Sequence, residues 1–176
     1  MMYKPLTSPS LTAAITAFAI AAAQPAWAET PPRYDQVTQA STPVADAYFA
    51  AYIARDWDKL ETLLDDEASF QDESAELVFG GLRSQGKAAM MKRFREGYAS
   101  LTHMSFKPQR TFHAGHIAIY EGDLDWGLDI GDGVVVESET PMVVILRVED
   151  GKIVRHRDNV DYAPFLARLR ALRAQS

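Results

Sequence analysis

Apolar residues repeat at helical spacing in the first half of the chain and at alternating spacing in the second half. Six of them recur at the spacing that places side chains on one helical face: Val44, Ala45, Tyr48, Phe49, Tyr52 and Ile53. The pattern predicts three helices, over 43–54, 57–65 and 85–99. Pro43, Asp56 and Ser84 stand near their starts as a first-turn proline and two N-caps.

Beyond Ser100 the period changes to two, which is typical of strands. The pattern predicts four strands, over 102–111, 116–128, 133–148 and 152–161, after a short strand that ends at Asp72. In the third of these four strands the even positions are apolar: Val134, Val136, Met142, Val144, Leu146 and Val148. The matching faces of the neighbouring strands carry Tyr120, Leu124 and Trp126, and Val154, His156, Asp158 and Val160. We expect these faces to line one cavity.

A histidine and an aspartate interrupt the apolar face of the last strand. His156 and Asp158 lie two residues apart, so both side chains point to the same side. Burying such groups is costly unless they are paired, and an aspartate can hold a histidine in one tautomer or raise its basicity. The pair is therefore either a proton-handling site or a structural pair with Arg155 or Arg157 nearby.

The N-terminal 28 residues have the form of a secretory signal. Lys4 is their one charged residue, the apolar stretch over 11–23 is short for a membrane span, and Ala26-Trp27-Ala28 fits a signal peptidase site. We expect cleavage before Glu29, a flexible leader over 29–41, a domain over 42–176, a periplasmic or secreted location, and no stable membrane insertion after cleavage. The alternative is an uncleaved anchor.

The formal net charge of −6 and the absence of cysteine narrow the possible partners and chemistry. An acidic surface repels phosphate backbones, so nucleic acid is not expected as a partner. Without cysteine, disulfides, thiol chemistry and zinc–thiolate sites are excluded. The sequence has no metal-ligand spacing on one element and no glycine-rich phosphate loop, so we predict no cofactor and no metal site.

Three stretches carry a resemblance to a known family: YFAAYIARDWDKLETLLDDEASFQD over 48–72, GLRSQGKAAMM over 81–91 and EDGKIVRHRDNVDYAPFLARL over 149–169. Together they resemble the nuclear transport factor 2-like superfamily, in particular its SnoaL-like, ketosteroid isomerase-like and polyketide cyclase-like branches. The resemblance implies an α+β fold, a cone-shaped α+β barrel of the cystatin-like type. In it, three N-terminal helices pack on a curved, mostly antiparallel sheet around one apolar pocket.

The resemblance also implies a catalytic set. Tyr48 matches the tyrosine that hydrogen-bonds the substrate oxygen in the isomerase branch, and Asp72 matches the carboxylate that shuttles the proton. Asp158 resembles the aspartate of the RD-x-x-D ending of SnoaL-like cyclases, with His156 beside it. The isomerases' second oxyanion donor is missing, because Val144 stands near its position. In the alternative interpretation Asp72 caps a turn, and Tyr48 packs in the core with a bonded hydroxyl.

The expected function is binding of a small, largely apolar molecule, with cofactor-free isomerase-like or cyclase-like acid/base chemistry on a carbonyl compound. The residues expected to line the pocket are Tyr52, Tyr120, Trp126, Met142, Val144 and Leu146. The alternative is a non-catalytic module for ligand binding or dimerisation. Val135, Val143 and Ile145 leave apolar surface on the other sheet face, which predicts a homodimer.

Overall fold

The structure is a computed structural model that describes residues 31–174. Its helices and strands follow in the order α1 (Tyr34–Ala54), α2 (Trp57–Leu63), β1 (Leu64–Asp72), α3 (Glu76–Phe79), β2 (Leu82–Gln85), α4 (Lys87–Gly97), β3 (Leu101–Ala114), β4 (Ile117–Asp129), β5 (Val135–Glu149), β6 (Lys152–Val160) and α5 (Ala163–Arg173). The fold is mixed α+β with one curved six-stranded sheet, which confirms the predicted fold class.

The strand order β2-β1-β6-β5-β4-β3 places the last strand in the interior of the sheet. The β1–β6 pair is parallel and the other neighbours are antiparallel. In the parallel pair Phe70 is opposite His156, and Asp72 is opposite Asp158. Two acids that are far apart in sequence therefore lie side by side on neighbouring strands, on the same face of the sheet.

The predicted alternation in β5 is confirmed from Val136 to Val148, where the even positions are buried. Val134 differs from the prediction because it lies before the strand and is 39% exposed. In β6 the predicted face holds from His156 onward. A bulge at Arg147/Val148 shifts the earlier register, so Ile153 is buried where Val154 was expected.

Helix α1 begins well before its predicted start, so the proposed leader is helical from Tyr34 onward. Pro43 lies inside the helix instead of at its first turn. The added turns pack on the turn between β3 and β4, where the Gly115 N–H donates to Thr38 Oγ1 at 2.8 Å. A β-carbon at Gly115 would lie 3.2 Å from the ring of Tyr34. These contacts are distant in sequence, which is why local periodicity did not indicate them.

One further helix start differs from the prediction, one predicted N-cap is confirmed, and one helix was not predicted. The predicted helix over 85–99 is α4, which begins after Gly86; Ser84 belongs to β2 and accepts a hydrogen bond from Arg93 Nε at 2.7 Å. Asp56 does cap α2, by accepting from the Lys59 N–H at 3.1 Å. Helix α5 was not predicted, and its Phe165 stacks on Trp126 with ring centroids 4.8 Å apart. Within 31–174, no helix is long and apolar enough to cross a membrane.

Candidate functional site

A cavity of about 280 Å³ lies between the helices and the sheet. Its walls are mostly apolar and aromatic: Tyr52, Phe70, Phe79, Leu82, Gly97, Leu101, Met104, Leu124, Trp126, Leu128, Met142 and Val160. Five polar or charged side chains complete the lining: Asp72, Arg93, Tyr98, Asp158 and Tyr162. A few polar groups in an apolar pocket are typical of a small-molecule site.

Asp72 is the last residue of β1 and is 2% exposed. Its Oδ1 accepts hydrogen bonds from the Ser74 hydroxyl and from the Ala75 N–H, and its Oδ2 accepts from Tyr162 Oη at 2.7 Å. The Ser74 and Ala75 bonds form the turn cap of the alternative interpretation, while the carboxylate also lines the cavity. Asp72 is thus both a turn cap and a carboxylate of the cavity wall.

Burial raises the pKa of Asp72 above its ordinary value of 3.8, and the neighbouring Asp158 adds to the rise. The three hydrogen bonds oppose this shift, because they favour the ionised form. A buried acid with a raised pKa is poised to accept and release a proton nearer to neutral pH than an exposed one.

We predict a pH-dependent stability difference between the wild type and Asp72→Asn. An acid with a raised pKa in the folded state contributes stability at pH values below its unfolded pKa, and this stability is lost as pH rises through the folded pKa. Asparagine cannot ionise, so the variant should gain in free energy of unfolding relative to the wild type between about pH 4 and about pH 7. Urea unfolding of both proteins at the two pH values measures this gain. A difference in free energy of unfolding between variant and wild type that is the same at both pH values would contradict the prediction.

Asp158 and His156 belong to a hydrogen-bonded chain that crosses the buried side of the cavity. Tyr98 Oη lies 2.5 Å from Tyr52 Oη, which donates to Asp158 Oδ2 at 2.7 Å. Asp158 Oδ1 lies 2.7 Å from His156 Nε2, and His156 Nδ1 lies 3.0 Å from Tyr48 Oη. The chain thus links the cavity wall at Tyr98 to the core at Tyr48.

The partners in this chain fix the directions of the hydrogens. The Asp158 carboxylate can only accept, so a His156 ring with one hydrogen carries it on Nε2, and Nδ1 then accepts from the Tyr48 phenol. Burial raises the pKa of Tyr48, Tyr52 and Tyr98, so all three phenols keep their hydrogens. Because Tyr52 donates to Asp158, the hydrogen between the two tyrosines comes from Tyr98.

The predicted catalytic residues divide into two groups. Asp72 and Asp158 line the cavity together. His156 and Tyr48, both 0% exposed, lie behind that wall and do not line it, contrary to the expectation that they border the cavity. The reason is packing: the His156 ring is enclosed edge-on by Tyr52 and Phe70, with centroids 4.6 and 5.0 Å away.

The predicted lining residues divide in the same way. Tyr52, Trp126 and Met142 line the cavity. Tyr120, Val144 and Leu146 share the buried sheet face but lie outside the lining, and helix α1 packs against β4 and β5. Tyr120 stacks on Phe49 at 4.0 Å and donates to Asp46 at 2.7 Å, in a separate groove that also contains His113.

Sequence reasoning missed three polar members of the lining: Arg93, Tyr98 and Tyr162. Tyr98 lies in the predicted helix over 85–99, and Tyr162 follows the last predicted strand. The sequence signal that could have identified Tyr98 and Tyr162 is their position near the ends of predicted elements, where a tyrosine hydroxyl can reach an acid on the sheet. Among residues 31–174, no group of three or more His, Asp or Glu side chains is arranged to hold a metal ion.

Solved structures with this fold are numerous, although their sequences are distant. An inferred SnoaL-like polyketide cyclase from Shewanella denitrificans OS-217 is 15% identical with a TM-score of 0.66, over 74% of this chain and 97% of that one. A protein with a ketosteroid isomerase-like fold from Catenulispora acidiphila DSM 44928, in complex with trimethylamine, is 17% identical with a TM-score of 0.59, over 71% of this chain and 90% of that one. An M. tuberculosis LEH-like epoxide hydrolase is 20% identical with a TM-score of 0.56, over 82% and 100%.

At these identities the likeness to solved structures shows the fold alone. Among curated proteins, none matches the sequence at a significant level. The family assignment comes from the sequence of residues 45–156, which matches the SnoaL-like domain family. This match runs from α1 into β6; it includes Asp72 and ends two residues before Asp158. The chain therefore belongs to the SnoaL-like domain family.

Proposed function

We propose that the cavity binds a small, largely apolar molecule and that Asp72 exchanges a proton with it, without a cofactor. The observation that carries this proposal is the pairing of two buried carboxylates, Asp72 and Asp158, in a wall that is aromatic and aliphatic apart from Arg93. Burial of ionised groups is costly. Two carboxylates that are shielded from solvent but line an apolar cavity can exchange protons with a molecule bound in it.

The two acids differ in their surroundings, which favours different roles. Asp72 accepts one phenol and two donors from its own turn, and burial raises its pKa, which suits a base or acid that cycles during reaction. Asp158 accepts from Tyr52 and His156. We assign proton transfer to Asp72 and positioning of the aromatic wall to Asp158.

A carbonyl substrate would need a donor for the oxygen that becomes negative during proton abstraction. Tyr48, which the resemblance implied for this role, donates to His156 instead. The remaining candidate on the cavity wall is Arg93, which lines the cavity and is anchored on β2 through Ser84 and the Arg83 carbonyl. In this account Arg93 replaces Tyr48 as the group that faces the substrate oxygen.

The second candidate function is a non-catalytic ligand-binding module. The hydrogen bonds of Asp72 favour it, because a carboxylate held by two donors of its own turn and by Tyr162 is also a structural cap. Mass spectrometry of small molecules released from protein purified under native conditions tests ligand binding in both functions. Both functions predict that one largely apolar compound is released per chain, or that the empty cavity binds such a compound when it is added. If no small aromatic probe binds to the protein, both functions are contradicted.

We also propose that the chain forms a homodimer through the outer face of its sheet. One row across that face is apolar from β5 to β3, through Ile145, Ile119 and Phe112, and Phe112 is 53% exposed. Ile145 is partly exposed within this row, and Val143 is partly exposed beside it. Two copies related by a two-fold axis would cover each other's row. Light scattering at micromolar concentration should give the mass of a dimer, and Phe112→Glu should give a monomer; a monomeric wild type would contradict the interface.

A further inference from the structure

The hydrogens of the polar groups around the cavity are already committed within the protein. Tyr162 donates to Asp72, Tyr52 donates to Asp158, and the Trp126 indole N–H donates to Thr140 Oγ1 at 3.0 Å. The hydrogen of Tyr98 is directed to Tyr52, as the order of the chain requires. What these groups offer to the cavity is lone pairs, so a ligand that hydrogen-bonds to them must be the donor.

The charges in the lining point the same way. Two carboxylates, Asp72 and Asp158, face one guanidinium, that of Arg93. Arg93 is also partly occupied, because its Nε donates to Ser84 at 2.7 Å and one terminal nitrogen donates to the Arg83 carbonyl at 2.9 Å. The lining therefore favours positive over negative charge.

The aromatic side chains add a third preference. Six of them surround the space beside the acids: Tyr52, Phe70, Phe79, Tyr98, Trp126 and Tyr162. The faces of aromatic rings attract cations, and the attraction is strongest where water is excluded. A carboxylate pair within an aromatic wall is thus complementary to a compact cation that has apolar substituents.

We propose that the cavity selects a small amine that carries a positive charge and N–H donors on an apolar body, in preference to neutral or anionic molecules of the same shape. This inference rests on the proposed function, in which the cavity is the ligand site. The ammonium group donates to Asp158 and to the free lone pairs of Tyr98, and the apolar body lies against Trp126 and Met142. A proton acceptor at Asp72 is then beside the N–H or the adjacent C–H.

The alternative occupant of the polar end is a neutral carbonyl group. A carbonyl oxygen brings only lone pairs, so at Asp158 and Tyr98 it would face acceptors and leave its own hydrogen bond unmade. Such an unsatisfied buried polar group is costly. Arg93 is the one lining residue among those described that has an uncommitted N–H, so a carbonyl compound depends on it alone.

Calorimetric titration of the full-length protein with three probes of similar size tests the inference at neutral pH. The probes are phenethylammonium, its uncharged isostere propylbenzene, and phenylacetate. We expect phenethylammonium to bind about tenfold or more tightly than propylbenzene, and phenylacetate to bind most weakly. Propylbenzene binding as tightly as the amine would overturn the inference but support an apolar cavity; tightest binding of phenylacetate would overturn it in favour of Arg93.

A pair of variants separates charge at the site from charge elsewhere. Asp72→Asn should weaken phenethylammonium binding at least about fivefold and leave propylbenzene binding unchanged. Asp123→Asn makes the same change on the outer sheet face, where Asp123 accepts a hydrogen bond from Gln109, and should affect neither probe. Equal losses in the two variants would show a general effect of net charge and would contradict the site. Absence of binding by all three probes would contradict the inference and the proposed function together.

Discussion

Replacing His156 by alanine is expected to lower the free energy of unfolding by about 3–5 kcal/mol, the range for emptying the space of a buried ring or orphaning a buried partner. His156 is fully buried and bonds Tyr48 on one side and Asp158 on the other. Alanine leaves Tyr48 Oη without its bond to the ring, removes one hydrogen bond from Asp158, which still accepts from Tyr52, and opens a space between Tyr52 and Phe70. Urea denaturation of the wild type and the variant measures the loss.

Two further substitutions show whether the cause is the hydrogen-bonded chain. His156→Gln places an amide donor near the position of Nε2 and should recover part of the bond to Asp158, so it should be more stable than the alanine variant. His103→Ala is the control, because His103 is 41% exposed beside Asp125 and Glu137 on the outer face. That variant should stay within about 0.5 kcal/mol of the wild type. A loss of similar size at both histidines would contradict the buried chain.

Replacing Asp72 by asparagine is expected to slow proton exchange at the α-carbon of a bound ketone by about 100-fold or more, because general bases contribute on that scale. Asparagine keeps the size of the side chain but has no carboxylate to accept the proton. The probe is phenylacetone in deuterated buffer, with deuterium uptake above the rate of buffer alone followed by NMR. Asp123→Asn is the matched control and should exchange at the wild-type rate.

The outcome of this experiment also decides between the two candidate functions. If the wild type accelerates exchange and Asp72→Asn does not, the chain is a proton-transfer catalyst and Asp72 is its base. If phenylacetone binds to the wild type and exchange stays at the buffer rate, the chain is a binding module and Asp72 is a turn cap. Equal acceleration by the wild type and by Asp72→Asn would remove Asp72 from the mechanism.

The sheet and the acids on it could be predicted because their signals are local. Alternation in β5 follows from a period of two, and it assigned the buried face from Val136 to Val148. The same argument identified His156 and Asp158 as unusual buried residues, and both are 2% exposed or less. The fold class followed from a resemblance that spans these elements, and the structure confirms it.

The second layer of the site could not be predicted because it depends on contacts between residues far apart in the chain. Tyr162 reaches Asp72 across 90 residues, and Tyr52 reaches Asp158 across 106. Periodicity places a side chain on a face but does not say which hydroxyl meets which carboxylate. The same limit explains why Tyr120 does not line the cavity. It lies on the predicted face of the sheet, but its hydroxyl donates to Asp46 in a different groove.

The central claim is that a small molecule binds in the cavity beside Asp72 and Asp158. The indole N–H of Trp126, which lines this cavity, reports on it most directly, whereas Trp57 packs on Phe94 and does not line it. In a titration of nitrogen-15-labelled protein with phenethylammonium, the indole resonance of Trp126 should shift in a saturable manner while that of Trp57 changes little. Saturable binding that leaves the Trp126 indole resonance unchanged would contradict the account.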